Sequence, residues 1–288
     1  MIEVRITPLG PARFGIRHVS TPAVAGRDDV WIAPPPSTVL GALGALLGVK
    51  TDCRKCSDFT CRTQAAEETL IELAEQLGIR RIWGPLVVKE GKLGIPTLDF
   101  IYYLDGAAEK IEKRARLGLA LTEQKTAKPG HLYRATYIYP RNVTYVYYVD
   151  GLTPFKPRTV RLGGEGRSAL VEAVETSVKP PLQIAGTAVL TTPLLAPDGE
   201  IPPCLKPVGT LKADGDVEPK VKIIQWGLGF SEVCRERRPV YPALPPGTVV
   251  EANNCPPTTG HMAQAGYGAL HPQPPKQQRR GYASQQKT

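Results

Sequence analysis

The sequence has no hydrophobic run long enough to cross a membrane. Its longest apolar stretch, residues 39–49, has 11 residues, whereas a membrane-spanning helix needs about 20. Residues 2–7 alternate apolar and polar side chains, a pattern typical of a β-strand and unlike the apolar centre of a signal peptide. We therefore expect a soluble, cytoplasmic protein that makes no membrane contact.

Residue patterns that carry common enzyme chemistry are also missing. The chain has 4 histidines, and none stands in an H-x3-H or H-E-x2-H spacing, which argues against a zinc protease. It has no G-x4-G-K-[S/T] sequence, and the glycines of residues 163–166 do not follow the dinucleotide-binding pattern. Asn occurs at 3 positions and Met at 2, and such a shortage of thermolabile residues is typical of a thermophile.

Glycine and proline, by contrast, are abundant. They number 28 and 29 in 288 residues, close to a fifth of the chain against an average of roughly 12%. This composition excludes a helical bundle or a coiled coil, because both residue types interrupt helices. It favours many short elements joined by turns. With 42% hydrophobic residues, the chain is able to bury a core.

The hydrophobic periodicity predicts an α+β fold with short helices on antiparallel strands. Helices are predicted at residues 39–47, with Ser37 and Thr38 as the N-cap, at 63–77 and near 169–176. Strands are predicted at residues 2–7, 81–88, 97–104, 117–121, 131–139, 143–149, 158–162, 182–191 and 222–226. A Gly/Pro-rich passage at 151–157 predicts two domains, residues 1–150 and 151–271, and residues 272–288 are expected to form a disordered basic tail.

Positive charge is concentrated in two places. The formal net charge is +9, but residues 108–168 contain twelve Lys or Arg against five Asp or Glu. Residues 272–288 contain four basic residues and no acidic one. A polyanionic partner would therefore meet the central segment, although any single basic residue is about as often part of a solvated surface.

A predicted hairpin in this segment is rich in tyrosine and arginine. Six of the eleven tyrosines lie in it, interleaved with Arg134 and Arg141: Tyr133, Tyr137, Tyr139, Tyr145, Tyr147 and Tyr148. On an exposed sheet face, aromatic rings stack on bases and basic side chains hold phosphates. Tyrosine also favours strands and packs beneath helices, and about half of these rings are expected in the core.

The stretch that follows combines arginines with glycines. Arg158, Arg161 and Arg167 flank Gly163 and Gly164. Glycine allows a backbone to approach a phosphate closely, and flanking arginines neutralise it. The alternative is a tight turn with a solvated, charged rim.

Three cysteines form a C-x2-C-x4-C cluster between the first two predicted helices. Cys53, Cys56 and Cys61 have the spacing to hold one tetrahedral zinc ion, with a fourth ligand from another cysteine or a histidine. Two alternatives remain open. One is a disulfide, which hyperthermophile cytosol allows, and the other is three unligated thiols in a surface loop.

Five segments together carry a family resemblance. They are Pro-Pro-Pro-Ser-Thr-Val-Leu-Gly-Ala-Leu at 34–43, Leu-Ala-Leu-Thr at 119–122 with Gly-His-Leu-Tyr at 130–133, Leu-Gly-Gly-Glu-Gly-Arg at 162–167, Gly-Leu-Gly-Phe at 227–230 with Arg-Pro at 238–239 and Leu-Pro-Pro-Gly-Thr-Val at 244–249, and Gly-Tyr-Gly at 266–268. In this order they resemble the RAMP superfamily of CRISPR proteins. The greatest similarity is to the family of subunits that holds the 5′ handle of the guide RNA in type III-B Cmr complexes.

The resemblance implies two ferredoxin-like (RRM-like) domains with antiparallel sheets and glycine-rich loops. It implies a non-catalytic RNA-binding subunit, active in antiviral defence and requiring no cofactor. Its partners would be the guide-RNA 5′ handle, the large polymerase-like subunit and the adjacent backbone RAMP subunit. The residues expected to contact RNA are Arg17, His18, Lys125, His131, Arg134, Arg141, Arg158, Arg161, Gly163, Gly164 and Arg167.

Two other functions are compatible with the residues. The first is a metal-independent endoribonuclease that processes repeat RNA, with His131 or His18 as general acid or base. The second is a zinc-stabilised assembly protein whose Cys53–Cys61 loop docks a partner.

Overall fold

A computed structural model describes residues 1–16, 29–52, 56, 58–164, 166–231 and 236–273. The fold is mostly β, with several antiparallel sheets and two α-helices, α1 (Pro36–Leu47) and α2 (Phe59–Gln76). The strands are β1 Ile2–Pro8, β2 Phe14–Gly15, β3 Val30–Trp31, β4 Arg81–Lys89, β5 Lys92–Pro96, β6 Phe100–Tyr103, β7 Ala108–Lys110, β8 Lys113–Leu121, β9 Ala127–Ile138, β10 Val143–Asp150, β11 Phe155–Arg161, β12 Ser168–Glu175, β13 Ile184–Leu190, β14 Leu194–Leu195, β15 Leu205–Leu211, β16 Val217–Glu218, β17 Ile224–Gly227, β18 Phe230–Ser231, β19 Glu236–Arg237, β20 Val240–Leu244, β21 Thr248–Cys255 and β22 Leu270–Pro272.

The largest sheet has eight strands in the order β11-β12-β1-β10-β4-β5-β6-β7. β1 is an interior strand and pairs antiparallel with β10 on one side and with β12 on the other. The predicted domain boundary after residue 150 falls between β10 and β11, and both strands belong to this sheet. The sheet therefore includes residues from both sides of that boundary.

The C-terminal part of the chain forms smaller sheets. One has five strands in the order β16-β15-β21-β13-β22, and another has three in the order β14-β20-β17. Three pairs stand as two-stranded sheets, β2-β3, β8-β9 and β18-β19. Every pairing within these sheets is antiparallel.

β10 is buried on both faces, which explains its nearly continuous apolar sequence. Tyr145 and Tyr147 point to the side that carries α1 and α2, and each hydroxyl donates a hydrogen bond to a carbonyl just before α1, those of Ile32 and Pro34. The alternate residues of the strand pack with side chains of the five-stranded sheet. Strand β10 thus joins the two main layers of the molecule.

The helix predicted near residues 169–176 is wrong, because this segment is strand β12. Its side chains alternate between buried and more exposed, with Ala169, Val171 and Ala173 in the core. Period-two alternation suits a strand with one buried face, and pairing with β1 supplies its hydrogen bonds. The two alanines of this segment lie four residues apart, a spacing that a helix would also place on one face.

Both predicted N-terminal helices are confirmed, each with an earlier start. Helix α1 begins at Pro36 after Pro35, which is the N-cap, so Ser37 and Thr38 lie inside its first turn instead of capping it. Proline suits the first helical position because that position needs no N–H donor. Gly48 ends the helix in the left-handed conformation, as its place in the sequence indicated. Neither helix of the described chain is long and apolar enough to cross a membrane.

A close approach of two glycines provides a test of this packing. Gly151 has φ +96°, and an added Cβ would lie 1.9 Å from the Gly78 carbonyl oxygen, whereas Gly106, at φ +86°, has open space around it. Gly106→Ala should cost only backbone strain of about 1–2 kcal/mol. Gly151→Ala adds a backbone overlap and should cost about 2 kcal/mol more. Thermal and denaturant unfolding of the two variants measures this, and equal losses would contradict the described contact.

Candidate functional site

The hairpin formed by β8 and β9 is the most basic part of the described chain, and we call it the basic ribbon. Residues 113–138 contain six Lys or Arg and one Glu. The ribbon is a separate two-stranded sheet whose base is held by backbone hydrogen bonds between Ala12 and Ile138. Further out the strands become exposed, with Leu117 70% accessible to solvent. The ribbon therefore presents its charge away from the core.

Arginines and tyrosines interlock at the base of the ribbon in what we call the arginine–tyrosine cluster. Its members are Arg114, Arg116, Tyr137, Tyr139 and Arg167. The guanidinium carbons of Arg167 and Arg116 lie 4.7 Å and 5.5 Å from the centre of the Tyr137 ring, and that of Arg114 lies 5.1 Å from the Tyr139 ring. Arg116 also donates a hydrogen bond of 3.0 Å to the Tyr139 hydroxyl. Such cation–π contacts hold guanidinium groups in fixed orientations.

The charges of this cluster are only partly neutralised. Arg114 forms an ion pair with Glu112. No carboxylate in the described part of the chain pairs with Arg116 or Arg167, and the buried Nε of Arg167 has no hydrogen-bond acceptor there. Two guanidinium groups are thus positioned by aromatic rings while retaining capacity to bind an anion.

The glycine turn between β11 and β12 packs against the protein itself. Gly163 has φ +75°, and an added Cβ would lie 2.4 Å from the Arg13 carbonyl oxygen. Gly164 donates its N–H to the same oxygen at 3.0 Å. The close approach that these two glycines allow is therefore to the backbone before β2. The turn that they form brings Arg167 beside the base of the ribbon.

The structure brings together some of the predicted RNA-contacting residues and separates others. Arg161, Gly163, Gly164 and Arg167 share the β11–β12 turn. The other lysine and arginines of the predicted set that the structure describes are exposed and lie apart from one another. They are Lys125 at the tip of the ribbon, Arg134 on β9, Arg141 in the β9–β10 turn and Arg158 on β11.

The remaining residues predicted to contact RNA add less to the candidate site. Arg158 donates a hydrogen bond of 3.1 Å to the Leu46 carbonyl near the end of α1. The backbone of His131 lies in β9. Arg17 and His18 lie outside the described residues.

Sequence reasoning did not single out Arg114 and Arg116. Both stand on β8, two residues apart and therefore on one face of the strand, and Arg114 is the register partner of Tyr137. The alternation Arg-Ala-Arg at 114–116, together with Tyr-Ile-Tyr at 137–139, was the available signal. This signal was missed because the preceding strand was predicted to begin only at residue 117 and the hairpin was predicted between residues 131–139 and 143–149.

The hairpin predicted from residues 131–139 and 143–149 is wrong, because β9 pairs with β8 and β10 pairs with β1 and β4. Most of the tyrosines of these two strands belong to the core. Tyr137, Tyr145, Tyr147 and Tyr148 are buried, so the packing alternative is confirmed for these rings. Burial raises the pKa of Tyr145 and Tyr147 far above the ordinary tyrosine value, which keeps both hydroxyls neutral donors. Among the tyrosines expected to stack on bases, Tyr139 is partly accessible to solvent.

The cysteine cluster adopts the disulfide alternative for two of its members. Cys56 and Cys61 are joined in a disulfide at the start of α2, and Cys204 and Cys255 form a second one. Cys53 lies outside the described residues. A disulfide sulfur is not a thiolate ligand, and the described residues contain no group of three or more potential metal ligands. Zinc binding would require Cys56 and Cys61 in the reduced state.

Two solved structures share this fold. One is a cryo-EM structure of the type III-B Cmr-beta bound to cognate target RNA and AMPPnP, which matches with a TM-score of 0.61 and 21% sequence identity over 86% of each chain. The other is of Cmr-beta bound to cognate target RNA, with a TM-score of 0.60 and 20% identity over 86% of each chain. No curated protein matches the chain. The fold is thus one that is also found in chains of these Cmr-beta structures.

The family model of the CRISPR-associated protein Cas_Cmr3 matches residues 105–267. This is more than half of the chain, and the chain belongs to this family. The match includes the basic ribbon and the whole arginine–tyrosine cluster. The resemblance to RAMP superfamily CRISPR proteins, predicted from the sequence, is confirmed.

The state of the cysteines is directly testable. Under denaturing conditions without reductant, Cys56, Cys61, Cys204 and Cys255 should resist alkylation, and all four should react after reduction. Peptide mass spectrometry measures each site, and metal analysis of protein purified without chelator measures zinc. Stoichiometric zinc, together with alkylation of Cys56 and Cys61 once a chelator is added, would contradict the disulfide and support the zinc site.

Proposed function

We propose that the chain is a non-catalytic RNA-binding subunit of a type III CRISPR effector complex, in which it holds the 5′ handle of the guide RNA. The observation that carries this proposal is the arginine–tyrosine cluster at the base of the basic ribbon. The cluster lies within the stretch that matches the family model. The fold shared with chains of RNA-bound Cmr-beta assemblies supports the proposal.

The cluster is suited to a flexible single strand. Arg116 and Arg167 are already oriented against the Tyr137 ring, so less side-chain entropy is lost when they bind a phosphate. The exposed cations along the ribbon and the β11–β12 turn would neutralise further phosphates, and Tyr139 offers a partly accessible ring for stacking. Guanidinium groups that keep donors free fit phosphate oxygens in paired geometry.

Within the complex, the large polymerase-like subunit and the adjacent backbone RAMP subunit would be the protein partners. The spatial order β12-β1-β10-β4, all antiparallel, supports a ferredoxin-like unit at the centre of the eight-stranded sheet. We infer that the smaller sheets of the C-terminal part form the second such unit. No cofactor is required for a function that depends on phosphate binding and stacking.

The salt dependence of RNA binding tests the proposed site. Replacing both Arg161 and Arg167 with alanine should weaken binding of handle-bearing RNA by about tenfold to a hundredfold at low salt. It should also reduce the slope of log affinity against log salt by about 1.4, since each lost phosphate contact on a single strand accounts for about 0.7. Fluorescence anisotropy over a salt series measures both quantities.

A double variant with the same loss of charge serves as the control. Arg5 and Arg80 each form an ion pair, with Glu3 at 2.6 Å and with Asp150 at 2.8 Å. Replacing these two with alanine should leave affinity and slope nearly unchanged. If both double variants weaken binding equally, the effect is one of net charge, and the proposed site is wrong.

The non-catalytic character is tested separately with repeat RNA. Incubation with the full-length protein in EDTA should leave the RNA intact, and His131→Ala should change nothing. Denaturing gel electrophoresis detects cleavage products. Cleavage in EDTA that His131→Ala abolishes would establish the endoribonuclease alternative instead.

A further inference from the structure

The arginine–tyrosine cluster has a finer arrangement on one face of the ribbon. Arg114 and Arg116 of β8 stand on this face beside Ala135 and Tyr137 of β9, and Tyr139 follows two residues later. Arg116 is the register partner of Ala135, which has a small side chain. Its guanidinium carbon lies 5.5 Å from the centre of the Tyr137 ring. Arg116 therefore reaches diagonally across the ribbon toward the tyrosines.

Arg116 also meets the hydroxyl end of the Tyr139 ring. It donates a hydrogen bond of 3.0 Å to the Tyr139 hydroxyl, so its guanidinium lies beyond that end of the ring. A guanidinium has five N–H donors, and the Arg116 side chain is exposed to solvent. Donors of Arg116 are therefore available to a ligand, and their position is fixed by contacts with two tyrosines.

Arg114 supports the Tyr139 ring from a different direction. Its guanidinium carbon lies over the ring, 5.1 Å from the ring centre, and Glu112 neutralises its charge through an ion pair. The Tyr139 side chain nevertheless remains partly accessible to solvent. An aromatic ring that is held in place and partly accessible is suited to stack on a nucleobase of a single strand.

The chemistry of this arrangement favours one of the four bases. A base that stacks on Tyr139 and extends past the hydroxyl meets the donors of Arg116. Guanine offers two adjacent acceptors on one edge, O6 and N7, and arginine binds this pair in bidentate geometry. Adenine offers N7 but places an amino group, itself a donor, beside it. Guanine also has two fused rings, so it covers the phenol ring and reaches beyond it.

We propose that Tyr139 and Arg116 bind a guanine base of the RNA, with Tyr139 stacking on the base and Arg116 donating to its O6 and N7 atoms. The side chains that build this site, Arg114, Arg116 and Tyr139, are all at least partly accessible. A single strand therefore reaches them without any opening of the core. This inference rests on the proposed function, since the guanine belongs to bound RNA, and it adds base recognition to phosphate binding.

The first experiment compares short RNAs that differ in a single base. Fluorescence anisotropy measures binding of the full-length protein to uridine octamers that carry one central guanine, hypoxanthine, 7-deazaguanine, adenine or cytosine. The guanine octamer should bind about tenfold tighter than the adenine octamer. Hypoxanthine keeps O6 and N7 and should match guanine, whereas 7-deazaguanine lacks N7 and should fall to the level of adenine. Equal affinity for guanine, 7-deazaguanine and adenine, or a preference for cytosine, would overturn the inference.

The second experiment assigns the two roles to their residues. Arg116→Lys keeps the charge but loses the paired donors, so it should lose the preference for guanine over adenine and keep the salt slope. Tyr139→Leu should weaken binding of both the guanine and the adenine octamer by about tenfold, because stacking is lost. Tyr139→Phe keeps the ring and should retain the affinity for the adenine octamer. Arg80→Lys, outside the ribbon, is the matched control and should change neither quantity.

The outcomes separate the base site from the proposed function. If the wild type binds handle-bearing RNA without preferring guanine, or if Arg116→Lys retains the preference, the base site is wrong and the proposed function stands. If the wild type does not bind handle-bearing RNA, the proposed function fails, and the base site fails with it even where the guanine octamer binds.

Free guanosine monophosphate tests the source of the base. Competition with the guanine octamer only at concentrations far above the dissociation constant of the octamer supports a base within RNA. Competition at concentrations comparable to that constant would indicate a site for a free nucleotide and would overturn the assignment to RNA.

Discussion

The structure depends above all on the burial of β10 between two layers. On one face, Tyr145 and Tyr147 pack beneath the helices and donate to the carbonyls of Ile32 and Pro34. On the other face, Val146 and Tyr148 pack with the five-stranded sheet. Because buried hydroxyls need acceptors, these two hydrogen bonds fix the chain immediately before α1. The start of that helix is consequently a rigid feature of the molecule, held from the centre of the largest sheet.

The same burial decides which aromatic rings are available at the surface. The tyrosines of β10 are buried in the core, so the basic and aromatic side chains at the surface lie on the ribbon and at the β11–β12 turn. There, the rings of Tyr137 and Tyr139 hold arginine side chains. Tyrosine therefore has two roles in adjacent strands, as core packing in β10 and as a support for guanidinium groups in β9.

The sequence predicted the elements with strong local signals and missed those that depend on distant pairing. Helices α1 and α2 and strands β4 and β10 followed from periodicity, and glycine signals marked the end of α1. Strand β12 was predicted as a helix, because its identity depends on pairing with β1, more than 160 residues away. The basic segment was located correctly from charge counts, but Arg114 and Arg116 emerged only with the hairpin register.

The glycines of the chain show why a motif alone does not identify a ligand site. Gly163 and Gly229 both have positive φ, at +75° and +91°, and both stand beside arginines. The space that Gly163 leaves is filled by the Arg13 carbonyl of the same chain, whereas an added Cβ on Gly229 would be in ordinary contact distance of the Ser37 hydroxyl, at 3.9 Å. A glycine beside an arginine can therefore be required by the packing of the protein's own backbone. The β11–β12 turn thus packs on the protein's own backbone, and the described contact that it supports is that of Arg167 with the Tyr137 ring.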